Sequence, residues 1–212
     1  MDLNRNFKED PLIKLIQIGI ELWIRSKCKS LKEITVEILG STAAILSGKI
    51  SGAKVEAYKV DFKDLALNQV KLISGPINIK VNLFSKDNRI MIENAFSISG
   101  LISLNNENIN KIITSENWTW IGNLLAKNLL EADHLAKIVI HDNFLEIHAF
   151  NIGINSVKVE KFNLEVSSGT LKFSSRESTK DFLMPMDDSI KIETVMVKLN
   201  QIIATIRSTV KP

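Results

Sequence analysis

From Leu12 to Ile24 the apolar residues recur at helical spacing. Leu12, Leu15, Ile16, Gly19, Leu22 and Trp23 form one stripe, and Ile13, Ile20 and Ile24 widen it. Only a strip through Lys14, Gln17, Glu21 and Arg25 is left for water, so the pattern predicts a largely buried helix that later strands must wrap. Asp10 and Pro11 supply its start: a carboxylate caps free N–H groups, and proline in the first turn lacks the donor that would go unpaired. The helix is expected to run to about residue 29.

Beyond it the period changes to two. Segments at 32–39, 44–50, 53–62, 65–74 and 77–83 read as strands of a meander separated by Gly-Ser or Gly-Pro punctuation. In the third, Val55 and Ala57 share one face while Tyr58, Val60 and Phe62 share the other. The phase slips by one residue, which predicts a β-bulge. An irregular stretch at 86–94 leads to a strand in which Phe96, Ile98, Gly100, Ile102 and Leu104 oppose Ser97, Ser99 and Ser103, as expected when one face is wet. Asn105 or Asn106 caps a short helix ending at Thr114, and Ile121, Leu124, Leu125 and Leu129 mark a second helix over 118–130.

Two-residue turns at Asp142–Asn143 and Ser168–Gly169 pair Ile140 with Leu145, Ile138 with Ile147, Val166 with Leu171 and Leu164 with Phe173. Two last strands, 189–198 and 201–210, meet at Leu199 and Asn200. The expected fold is α+β: long curved antiparallel sheets wrapped around an apolar N-terminal helix and a second helix, in a single domain over 1–212 with 1–9 as a flexible lead. Helix then strands, twice over, hints at two similar halves without a residue-level repeat.

Composition narrows the class. With 45% apolar residues the chain can fill one interior, and 27 basic against 24 acidic residues, with no block of five like charges, leave no nucleic-acid footprint. The single cysteine, Cys28, cannot form an intrachain bridge, and MDLNRNFKEDPLIK lacks the features of a secretory signal, so a cytoplasmic setting is expected. The apolar run from Leu12 to Ile24 is broken by charges and falls short of the roughly 20 residues that span a bilayer. The chain holds 19 Asn, and 22 Lys against 5 Arg, a bias attributed to an AT-rich genome, so individual asparagines carry little weight.

No residue set predicts catalysis. His148 is expected opposite Lys137, with His141 four residues away, roughly 13 Å at about 3.3 Å per residue and too far to share a metal. His134 beside Asp133 reads as an exposed linker residue. There is no HExxH, no G-x-S-x-G elbow, no P-loop and no base beside Cys28, while Asp187 and Asp188 read as turn residues. Neither a catalytic nor a metal site is expected, and no cofactor.

Two features suit lipid, although each also reads as ordinary packing. Trp23 with Arg25, Lys27, Lys29 and Lys32 sets a tryptophan among cations, as at an anionic membrane surface. Trp118, Trp120, Phe182, Leu183, Met184 and Met186 place bulky or adaptable side chains in terminal segments, as at a pocket mouth, with Leu124 lining the groove.

The runs LWIRSKCKSLKEITVEI at 22–38, ILSGKISGAKVEAYKVDFKDLALNQVKLISGPINI at 45–79 and MPMDDSIKIET at 184–194 resemble the bacterial LmeA-like family, in its photosynthetic-bacterial branch. The shared features are a tryptophan and arginine late in the first helix, a Leu-Ser-Gly step before a glycine-bearing turn, and an acidic turn before two final strands. The resemblance implies phospholipid binding in membrane lipid biology, with an architecture similar to tubular lipid-binding proteins. The expected function is non-enzymatic binding of a phospholipid-like or other long apolar ligand, with a lipid or membrane surface as partner. The alternative is a membrane-peripheral scaffolding domain that binds a protein partner and has no ligand cavity.

Overall fold

A computed structural model describes residues 10–81, 90–153 and 156–212. The lead 1–9, the expected strand end at 82–83 and residues 86–89 of the stretch 86–94 lie outside the described residues. In chain order the first elements are α1 (Pro11–Lys27), β1 (Glu33–Leu39), α2 (Thr42–Leu46), β2 (Lys49–Ile50), β3 (Gly52–Phe62), β4 (Leu65–Ser74), β5 (Ile77–Val81), β6 (Ile90–Ile92) and β7 (Phe96–Asn105). They are followed by α3 (Asn106–Thr114), α4 (Thr119–Leu125), a π-helical turn (Ala126–Leu130), β8 (His134–His141), β9 (Phe144–Asn151), β10 (Ser156–Ser167), β11 (Thr170–Ser175), β12 (Asp181–Leu183), β13 (Ile190–Lys198) and β14 (Gln201–Val210).

The architecture is mixed α+β with antiparallel sheets. Six strands run in the order β1-β3-β4-β7-β14-β13, five in the order β12-β11-β10-β9-β8, and β2-β5-β6 form a small third sheet. Neither large sheet closes into a barrel. The six-stranded sheet draws four strands from the first half of the chain and two from its end, so the hinted halves do not form separate sheets.

The predicted pairings hold at the hairpins. Ile140 opposes Leu145, Ile138 opposes Ile147, Val166 opposes Leu171 and Leu164 opposes Phe173. Left-handed Asn143 and Ser168 occupy the two turns. The phase slip in β3 is not a bulge: Tyr58 pairs with Gln69 and Val60 with Leu67 in unbroken register, and the slip falls at Lys59, whose backbone turns left-handed at φ 50°. The segment 44–50 departs from expectation. It forms α2, capped by the Ser41 hydroxyl accepting from the Ala44 N–H, and only then the two-residue β2. Gly48 separates them at φ +80°, and a Cβ there would sit 2.3 Å from the Ile79 carbonyl oxygen.

The larger correction concerns α1. Asp10 caps it as expected, its Oδ1 accepting the Leu12 N–H at 3.0 Å. The helix is not enclosed, however, and none of its residues is fully buried. Ile13, Ile20 and Ile24, read above as the margin of the apolar stripe, pack together with Ile16 on Val36, Ile38 and Ile45. Leu15, Leu22 and Trp23, read as its centre, are 66%, 62% and 62% exposed. Glu21, expected in water, turns toward β1 and accepts the Val36 N–H at 3.3 Å. The physical reason is that one helix lying on a sheet buries one face, and among the described residues no layer closes over the other.

The main core lies elsewhere. Phe162, Leu129, Ile138, Ile140, Leu145 and Ile147 are almost wholly excluded from water beneath the π-helical turn, between the five-stranded sheet and the β13–β14 end of the six-stranded one.

Candidate lipid site

Side-chain alternation on the paired strands gives the six-stranded sheet two unlike faces. Glu56, Tyr58, Gln69, Lys71, Ser99, Ser103, Thr205 and Arg207 share the polar one. Glu56 gathers several of these groups, with Gln69 donating to it at 3.1 Å and Lys71 meeting it at 2.8 Å. The hydrogen bond to Lys71 is the first cause holding the Glu56 carboxyl below its ordinary range, followed by that from Tyr58.

The opposite face carries Val55, Val70, Leu72, Ile98, Ile102, Leu104, Ile202, Ala204 and Ile206. At one end α1 covers it, and at the other α3, α4 and the second sheet do. Between them Leu72, Ile98, Ile102 and Ile206 are only half-buried. From Ile98 to Ile102 this strip runs four residues, or about 13 Å at ~3.3 Å per residue, and Leu104 two residues further on lies at its covered end.

At its covered end the strip enters a cavity of about 190 Å³. Leu104 and Ile202 form the sheet side, Ile113, Ile121 and Leu125 the helical side, and Met184 contributes a thioether. Every lining side chain is apolar, so the space offers water no hydrogen-bond partner. α3 is fixed over it by an Asn105–Asn108 capping box, with bonds of 2.8 and 3.1 Å. Two asparagines one turn apart dock the helix on the free edge of β8. Asn106 Oδ1 accepts the Ile140 N–H at 2.7 Å, while Asn110 accepts the Ile138 N–H at 3.0 Å and donates to the Ile138 carbonyl at 2.7 Å.

Of the residues expected at a pocket mouth, Met184 alone lines the cavity. Leu124 lies on α4 beside the lining residue Leu125 and is half-buried. Trp118 is half-buried and donates from Nε1 to the Lys63 carbonyl at 2.8 Å, pinning α4 to the β3–β4 turn. Trp120 and Leu183 are exposed. The residues that sequence reasoning missed, among them Ile109, Ile113 and Leu164, carry no signal that separates a cavity wall from a filled core.

Trp23, Arg25, Lys27 and Lys29 all lie exposed at the C-terminal end of α1 or just after it. Lys29 is ion-paired with Asp64, whose carboxyl that hydrogen bond holds below the usual range, and Arg25 reaches the Leu31 carbonyl at 3.3 Å. Cys28 is half-buried, and its burial raises the thiol pKa.

The histidines differ from expectation in one respect. His148 does oppose Lys137, but His148 and His141 both lean toward Glu146, with ring nitrogens 2.7 and 3.8 Å from its oxygens, so backbone spacing overstates their separation. Among the described residues no group of three or more His, Cys, Asp or Glu is arranged to hold a metal, and no helix is long and apolar enough to cross a membrane. Comparison with family models, curated proteins and solved structures finds no match for the chain.

Proposed function

We propose that this chain is a non-enzymatic lipid-binding module in which the tip of an acyl chain enters the cavity and the rest lies along the half-buried apolar strip. The observation that carries the reading is the cavity's wholly apolar wall. A cavity of about 150 Å³ lined by Leu, Ile and Phe stays dry and takes up benzene, so 190 Å³ suits a short stretch of hydrocarbon. It is smaller than the roughly 300–1,000 Å³ of sites that enclose a whole ligand. The adjoining strip resolves the shortfall, because the path from Ile98 to the cavity wall at Leu104 is about 20 Å at ~3.3 Å per residue, more than the ~15 Å that one leaflet contributes to a bilayer core of ~30 Å.

Family kinship with LmeA-like proteins is part of the same proposal and points to a phospholipid-like ligand. A scaffold with a filled interior has no need of such a space. An enzyme would require polar groups converging on it, and none lines it.

The test is native mass spectrometry of the purified chain followed by organic extraction. The expected result is an acyl-containing guest at fixed stoichiometry, lost from Ile121→Trp, in which indole fills the space. A clean unliganded mass that persists after incubation with phospholipid vesicles would remove the reading.

A further inference from the structure

α1 has two apolar faces, and the sheet uses one. On a helical wheel Leu15, Ile18 and Leu22 stack one turn apart, directly away from the Ile13–Ile16–Ile20–Ile24 face that grips β1. They are 66%, 46% and 62% exposed, an unusual state for three large aliphatic side chains in register. Gly19 lies among them with open space around it. Lys14 and Arg25 border the stripe on one side and Trp23 on the other, whereas Lys27 falls in line with Ile16 and Ile20 at the end of the inward face. Among the described residues no carboxylate lies within 4 Å of Lys14 or Arg25. The one acid on the helix, Glu21, is turned inward to the Val36 N–H.

We propose that the outward face of α1 docks on an anionic lipid surface, with Leu15, Ile18 and Leu22 inserted among the acyl chains and the helix axis parallel to the membrane. A helix lying in the interface needs an apolar stripe, an amphipathic aromatic at its margin and flanking cations, and this face has all three. Charge selects the occupant. Lys14 and Arg25 attract phosphate-bearing headgroups, each contributing to partition as juxtamembrane basic residues do, whereas a second copy of the same face would bring like charges together. This surface is distinct from the cavity, and docking would bring the lipid-binding module to its source of ligand.

The test is cosedimentation of the full chain with phosphatidylglycerol vesicles and, separately, with phosphatidylcholine vesicles. Wild type is expected to pellet with the anionic vesicles, less so as salt screens the cations. Leu22→Glu is expected to lose at least tenfold in partition while unfolding at the wild-type midpoint, since its side chain is exposed. Lys14→Glu with Arg25→Glu should erase the preference for anionic vesicles. Uptake of a guest in the cavity should be unchanged in every variant, which separates failure here from failure of the lipid-binding reading. Equal sedimentation of Leu22→Glu and wild type, no sedimentation at all, or a dimer that Leu22→Glu dissociates would each overturn the proposal.

Discussion

Asp61 is a buried carboxylate held by parts of the chain far apart in sequence. Its Oδ2 meets Lys111 Nζ of α3 at 2.5 Å, its Oδ1 accepts the Asp64 N–H at 3.1 Å, and its backbone bridges Ser30. Asp61→Ala leaves an N–H and an ammonium without their partner and should cost about 2–3 kcal/mol, read as a lower urea midpoint at unchanged slope. Glu146 makes a pH prediction. The hydrogen bond from His148 is the main cause holding its carboxyl below the ordinary value of 4.5. A folded pKa below the unfolded one gives stability that is present above 4.5 and lost as pH falls through the folded value. Melting temperatures taken from neutral pH down to pH 3 should therefore fall less steeply in Glu146→Gln. Asparagine shows the limit of legibility at this scale. Reading the asparagine excess as genomic bias hides Asn105, Asn106 and Asn110, because composition cannot tell which amide meets a free strand edge.

At the scale of elements, legibility followed the range of the forces that decide each one. β9, β10, β11 and the β13–β14 hairpin were readable because turn chemistry and two-residue alternation agree locally. The α2 segment was not, since five residues can follow either period and a Ser41 cap with Ala43 and Ala44 tips them to helix. α1 was recognisable as a helix, but its wheel gives two apolar faces and no rule for which one meets the sheet. The docking of α3 on β8 yields a further prediction. Asn110→Ala strips partners from both backbone groups of Ile138 and should cost about 2–3 kcal/mol. It should also raise hydrogen exchange at Ile138 ahead of the rest of β8.

For the whole molecule, the distribution of apolar surface matters more than any single contact. The chain fills one interior around Phe162 and Ile147 and leaves apolar surface in three other places: the cavity wall, the strip along β7, and the outward face of α1. A guest in the cavity stabilises the native state by mass action, about 2.7 kcal/mol at a hundredfold excess over Kd. Stripping lipid should therefore lower the melting temperature by roughly 5–10 °C in a chain of this size, and readdition should restore it. The cavity was invisible in the sequence because hydrophobic periodicity reports which faces are dry, and packing against three other elements determines whether the space between them is full. The most direct test is a methyl NMR titration of the delipidated chain with octanoic acid. Shifts should concentrate at the Ile113, Ile121, Leu125 and Met184 methyls and reach saturation. Unshifted cavity methyls, or shifts confined to Leu15, Ile18 and Leu22, would contradict the lipid-binding reading.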